Sequence, residues 1–221
     1  MNILLINSSD ENAFAALFDG TELVISKSTD FKNNSSKKQP DNLISCLYEI
    51  SSACRKKFEQ TEAVAVTIGP GSFTGIRVGL AIAKGLSGAL EIPIIPLTNF
   101  ELIYNRIPAA TKEAKYCILI PAKLPEYYYS IWQNGNEIGK GCINIDQLSS
   151  ISGNNAVIVG NIDAEIIGKH SYFTCINLKD LRPESDTMLK LALEYFTNGL
   201  AMKPEEVEPL YMKNFTAKKQ S

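Results

Sequence analysis

Apolar and polar positions follow one another along this chain in short blocks whose period changes from two to near four and back. The first block, Ile3-Leu-Leu-Ile6, is an uninterrupted apolar run, as a central strand covered on both faces requires. It ends in a polar tip, Asn7-Ser8-Ser9-Asp10. Ala13 to Phe18 and Glu22 to Ser28 read as two further strands joined at Asp19-Gly20, a hairpin signal. Residues 29–40 are polar and lysine-rich and predict a loop with a solvated face. From Asp41 the spacing changes. Leu43, Leu47, Ile50 and Cys54 fall on one side of a helix that should run to about Phe58. A strand over 63–68, a helix over 74–90, a strand over 93–96 and a helix over 99–104 complete the first half, which leads out through Arg106-Ile-Pro108.

The second half repeats the order. Strands are predicted at Tyr116–Ile120, Glu126–Gln133 and Glu137–Ile145, the last two joined by Asn134-Gly135. A short helix over 146–150, strands at 156–159 and 172–176, and a helix over 186–197 follow. Ser185 or Asp186 would cap that helix and Gly199 would stop it. Beyond it, Leu210 and Tyr211 are the expected anchors of the tail. Two successive β-β-β-α-β patterns predict an α/β protein of two ribonuclease-H-like subdomains, each a mixed sheet flanked by helices. The division expected is 1–105 and 106–221, with the last helix or tail able to pack back on the first subdomain.

One stretch departs from ordinary composition. Six of the fourteen glycines lie between Gly69 and Gly88, after the apolar run Ala63 to Ile68. A strand, a glycine turn and a helix N-terminus together gather backbone N–H groups and the positive end of a helix dipole. Gly71, Ser72 and Thr74 are therefore candidate nucleotide or anion ligands, and Ser72 or Thr74 the candidate cap. Within the helix, Gly75, Gly79 and Ala83 recur every fourth residue, and Ala81, Gly85 and Ala89 do so on another side. Each helical glycine costs about 1 kcal/mol against alanine, so close approach of another backbone is expected there. That neighbour is either a helix of the same domain or a second chain, with Ile76, Leu80 and Leu86 flanking the seam.

Composition narrows the chemistry. The 221 residues are 45% hydrophobic and 21% charged, with a net charge of −2, values ordinary for a globular protein and unlike a basic nucleic-acid binder. The five cysteines (Cys46, Cys54, Cys117, Cys142 and Cys175) are odd in number and form no C-x-x-C, which predicts reduced thiols and a cytoplasmic setting. No apolar run approaches the roughly 20 residues of a membrane span. The glycine turn lacks the lysine of a phosphate-binding G-x-x-x-x-G-K-[ST] loop, having Ile76-Arg77 in its place. His170 is the only histidine, which leaves no paired-histidine metal site and no Ser-His-Asp hydrolase without it. Asn7, at the tip of the first strand, is a neutral amide and brings no negative charge there; Asp10 is the nearest acidic residue.

The run Gly69-Pro-Gly-Ser-Phe-Thr-Gly-Ile-Arg-Val-Gly-Leu-Ala-Ile-Ala-Lys-Gly-Leu86 resembles the signature of the TsaB (YeaZ) family of the actin-like ATPase (ASKHA) superfamily. The resemblance implies a two-domain protein without catalytic activity of its own. Such a protein supports a paralogue, TsaD, in threonylcarbamoyl transfer to the adenine next to the anticodon of tRNAs. A further ATPase, TsaE, joins the assembly, and the isolated protein forms homodimers. Contact with tRNA would fall mostly to the partners. Carried over, the partner surface lies on residues 42–54 and 74–86, with Leu43, Leu47, Gly75, Ile76, Gly79, Leu80 and Ala83 as its residues. A bulky residue at Gly79 is then expected to abolish partner binding and leave the monomer folded. No cofactor is required, and ATP or ADP at the complex interface is the one small ligand implied. The alternative is a stand-alone actin-like nucleotide-binding ATPase or small kinase, with Gly71, Ser72 and Thr74 at the phosphates.

Overall fold

A computed structural model describes residues 1–10, 13–29, 39–108, 111, 114–153, 155–161, 173–181 and 184–212, with backbone alone for 39–42. The chain forms two compact units. One takes Met1–Pro108 and Lys179–Pro209; the other takes Ala109–Leu178 and the residues from Leu210 onward.

The first unit is built on a sheet of β1 (Asn2–Asn7), β2 (Phe14–Asp19), β3 (Glu22–Ser28), β4 (Thr61–Gly69) and β5 (Ile94–Thr98), in the order β3-β2-β1-β4-β5. The meander β1-β2-β3 is antiparallel, whereas β4 and β5 join in parallel. Every residue of β1 is buried, as its apolar run requires of a central strand. Alternate residues serve opposite faces. Leu4, Ile6, Val64 and Val66 pack with Leu43, Leu47 and Ile50 of α1 (Gln39–Ala53) and with Leu80 and Ala83 of α3 (Phe73–Leu90). Ile3, Leu5, Ala63, Ala65, Ile95 and Leu97 face the other way. They meet Leu102 of α4 (Asn99–Arg106) and Met188, Leu189, Leu191 and Ala192 of α6 (Glu184–Thr197).

Three local expectations are corrected. The helix read as continuous to Phe58 breaks at Cys54, whose φ of −140° leaves the helical region, and resumes as the single turn α2 (Arg55–Glu59). Ile50 and Phe58 both face the core, so the apolar pattern runs through the break. The helix α6 opens at Glu184, two residues before the expected start, and its acidic first turn suits the helix dipole. Past Gly199, at φ +69°, the chain straps the sheet edge: Met202 exchanges both backbone hydrogen bonds with Ile94 (2.9 and 2.7 Å). Val207, not Tyr211, is the buried anchor of this strap, and Tyr211 stays exposed.

The second unit contains β6 (Tyr116–Pro121), β7 (Glu126–Gln133), β8 (Asn136–Asn144), α5 (Leu148–Ser152), β9 (Val157–Gly160) and β10 (Cys175–Ile176). Its sheet order, β8-β7-β6-β9-β10, repeats that of the first unit strand for strand. Cys117, Leu119, Tyr127, Ile143, Ile158 and Phe173 form its core. Burial pushes the Cys117 thiol up to about 12, and all five cysteines are free thiols. Two mixed five-stranded sheets flanked by helices are the α/β architecture expected. Among the described residues no helix is long and apolar enough to cross a membrane.

Candidate functional site at the strand tips and the outer helical layer

The polar tip of β1 meets the glycine turn and the start of α3. Ser72 caps that helix, its hydroxyl accepting from the Gly75 N–H at 3.2 Å. The Ser72 N–H itself donates to the Ser9 carbonyl at 2.8 Å. Ser8 donates its hydroxyl to the Gly75 carbonyl at 2.7 Å. A Cβ at Gly75 would overlap the Ser8 carbonyl oxygen, one at Gly71 the Ser9 carbonyl oxygen, and one at Gly79 the Ser8 hydroxyl. The small-residue seam thus receives the chain's own β1 tip. The neighbour that comes close is a strand end of the same unit, not a second helix.

Of the residues expected to contact a partner, Leu43, Leu47, Gly75, Ile76, Gly79, Leu80 and Ala83 are all buried within the first unit. They form a layer beneath the surface of α1 and α3. A Cβ at Gly79 would meet the Ser8 hydroxyl, so a bulky side chain there has to displace Ser8. The anion candidates divide. The Ser72 and Gly75 amides are spent on Ser9 and on the Ser72 hydroxyl, Gly71 is pressed against Ser9, and Thr74 faces solvent. Arg77 stacks on the Phe73 ring at 3.8 Å. His170 lies outside the described residues.

Sequence reading missed the centre of this cluster. The Asn7 Oδ1 accepts from the Ser9 N–H (2.9 Å), the Ser9 hydroxyl (2.6 Å) and the Thr67 hydroxyl (2.7 Å). Its Nδ2 donates to Glu184 Oε1. Glu184 Oε2 lies 3.9 Å from the Arg106 guanidinium. Asn99 Nδ2 donates to the Ser9 hydroxyl and to the Pro70 carbonyl, both at 2.7 Å. Glu184 keeps 32% of its side-chain surface, and loss of water pushes its carboxyl above the usual range. Arg106 and the Asn7 hydrogen bond act the other way, and Asp10 adds to the rise. Burial likewise lowers Arg106, against the pull of Glu184. Among the described residues no three His, Cys, Asp or Glu side chains gather as a metal site.

Outward of the seam, α1 and α3 lie side by side on one face of the sheet. Ile44 (55% exposed) and Tyr48 (72%) stand on α1, and Phe73 (40%) opens α3. Ala81, Gly85, Gly88 and Ala89 are exposed along α3, and a Cβ at Gly85 or Gly88 would touch nothing. Exposed apolar side chains on α1 and exposed positions of little bulk on α3 are the features of an interaction surface.

Comparison with known proteins defines first the class and then the family. A Bacteroides thetaiotaomicron protein described as having an actin-like ATPase fold superposes with a TM-score of 0.50 at 8% identity, over 86% of this chain and 95% of that one. A Pseudomonas aeruginosa protein described as similar to the peptidase YeaZ superposes with a TM-score of 0.75 at 17% identity, over 96% and 99%. The chain is thus an actin-like α/β protein of two subdomains. The family model "TsaD: tRNA N6-adenosine threonylcarbamoyltransferase" matches residues 33–165, more than half of it. The Escherichia coli (strain K12) tRNA threonylcarbamoyladenosine biosynthesis protein TsaB is 26% identical over 98% of this chain and 96% of its own length. The chain belongs to that family, on its TsaB (YeaZ) side.

Proposed function

We propose that this chain is a non-catalytic subunit in tRNA threonylcarbamoyladenosine biosynthesis. It binds a TsaD-like paralogue in the cytoplasm and supports threonylcarbamoyl transfer to the adenine next to the anticodon. A TsaE-like ATPase is a further partner, and the isolated chain pairs with itself. The observation that carries the reading is the exposed layer of the two packed helices, with Tyr48 and Ile44 on α1 and Ala81, Gly85, Gly88 and Ala89 on α3. Large aromatic side chains concentrate binding energy when they enter a dehydrated pocket, and bare helix backbone lets another helix approach closely. The strand tip supports the non-catalytic part of the reading. The Ser72 and Gly75 amides are bonded within the chain, and position 7 carries a neutral amide.

The test is calorimetry of the TsaD-like partner against Tyr48→Ala and Gly85→Trp. Both sites are exposed and Gly85 has open space around it, so each monomer should keep its urea midpoint. Affinity should fall about 30-fold or more, the cost of losing a hot-spot contact. Unchanged affinity in both variants would remove this face from the assembly.

A further inference from the structure

Glu184 stands in the first turn of α6, shortly after the chain re-enters the first unit, and Arg106 ends α4, shortly before it leaves. A continuous line of polar contacts joins them to the start of α3. It runs from Arg106 to Glu184, from Glu184 to Asn7, from Asn7 to Ser9, and from the Ser9 carbonyl to the Ser72 N–H. The direction of each step is fixed by chemistry. The Ser9 N–H can only donate and meets the Asn7 oxygen, so the amide nitrogen faces the carboxylate; a flipped amide would set oxygen against the Glu184 carboxylate and nitrogen against the Ser9 N–H. The tip is also held sterically, because the Ser8 and Ser9 carbonyls lie where side chains at Gly75 and Gly71 would be. The start of α3 cannot shift unless the tip shifts with it.

We infer that Glu184 is a positioning residue which, through Asn7, sets the start of α3 and hence the partner face, and that positions 7 and 184 are a matched donor–acceptor pair in which an acceptor at 7 requires a donor at 184. The link to the partner rests on the function proposed above; the pairing itself does not.

The test uses the full-length chain with Asn7→Asp, Glu184→Gln, the two combined, and Glu184→Ala. Hydrogen exchange of the Ser72 and Gly75 amides is read beside affinity for the TsaD-like partner. Asn7→Asp faces one carboxylate with another, and exchange at both amides should rise about tenfold or more. Glu184→Gln keeps an oxygen that accepts from Asn7 and should exchange like the parent. The combined variant reverses the pair: the Gln nitrogen donates to an Asp that still accepts from Ser9 and Thr67. Protection should then return to within about twofold of the parent. Glu184→Ala keeps a partly exposed site simple, and it should loosen the same two amides even where Asn7→Asp fails to fold.

Exchange in the combined variant as fast as in Asn7→Asp would overturn the pairing. Loosening confined to α6, with Ser72 and Gly75 unmoved, would overturn the relay to α3. Where exchange follows the cycle but affinity stays constant, the pairing stands and the positioning of the partner face is lost. Where Tyr48→Ala weakens binding but the exchange cycle is flat, the partner face stands and the relay falls.

Discussion

At position 75 a hydrogen atom in place of a side chain lets the Ser8 carbonyl rest against the helix, while at position 85 the same substitution buys nothing in packing. The two glycines share a helix and a propensity cost, so they separate the two explanations of a glycine-rich helix. Gly75→Ala gains the helix propensity of about 1 kcal/mol but drives a methyl group into a backbone carbonyl. A net loss of about 1–3 kcal/mol is expected, the usual cost of overpacking. Gly85→Ala should instead stabilise by about 0.5–1 kcal/mol. Urea midpoints of the two variants check the pair; losses of equal size would mean that Gly75 packs no more closely than Gly85. Glu184 gives a second prediction at this scale. Its folded-state carboxyl binds a proton more tightly than an unfolded one, chiefly through desolvation. Stability therefore declines as pH rises from the ordinary carboxylate range through the raised folded value. Glu184→Gln removes that decline. Urea midpoints from about pH 4 to about pH 8 should show the parent losing ground to the variant, and a parent that gains ground instead would mean that Arg106 and Asn7 outweigh desolvation.

Elements built from local periodicity were legible, and those built from distant contacts were not. The spacing of four and then three between Leu43, Leu47 and Ile50 is the core face of α1, and the unbroken run Ile3 to Ile6 is the central strand buried on both sides. The break at Cys54 was hidden because residues on both sides of it point inward. The strap after Gly199 has no period to read, since Met202 is held by backbone hydrogen bonds to Ile94 and Val207 by a core assembled from other elements. The candidate site divides in the same way. Its glycine turn and Ser72 cap were visible as a local pattern, and so was the need for close approach at Gly75 and Gly79. That the approaching backbone is the Ser8-Ser9 tip was not, because small residues reveal a gap and not its occupant. Glu184 meets Asn7 across a separation of 177 positions, and no spacing rule spans that. The row Ala81, Gly85 and Ala89 was visible as small-residue spacing, whereas Tyr48 and Ile44 were not singled out, because they lie on the outer side of a helix whose inner side set the pattern.

The whole molecule repeats one sheet order twice, yet its two units are not equivalent in how the chain completes them. In the first unit the sheet is finished by Thr98, but one face of that sheet waits for α6. Met188, Leu189 and Leu191 cover Ile3, Leu5, Ala63, Ala65, Ile95 and Leu97, and the second unit is threaded between them in the chain. Burial of each large α6 side chain contributes about 1.5–3 kcal/mol. Three of them together approach the roughly 5–15 kcal/mol that holds a whole domain. A chain ended at Leu178 should therefore lose the cooperative urea transition of its first unit and bind a hydrophobic dye, although every strand of the first sheet is present. The full-length Met188→Ala variant should keep the transition with a loss of about 2–5 kcal/mol, the cost of one cavity. A shortened chain that unfolds with the parent's midpoint would show that α1, α3 and α4 hold the sheet without α6. In that case α6 would be a cover on a unit already folded and not its foundation.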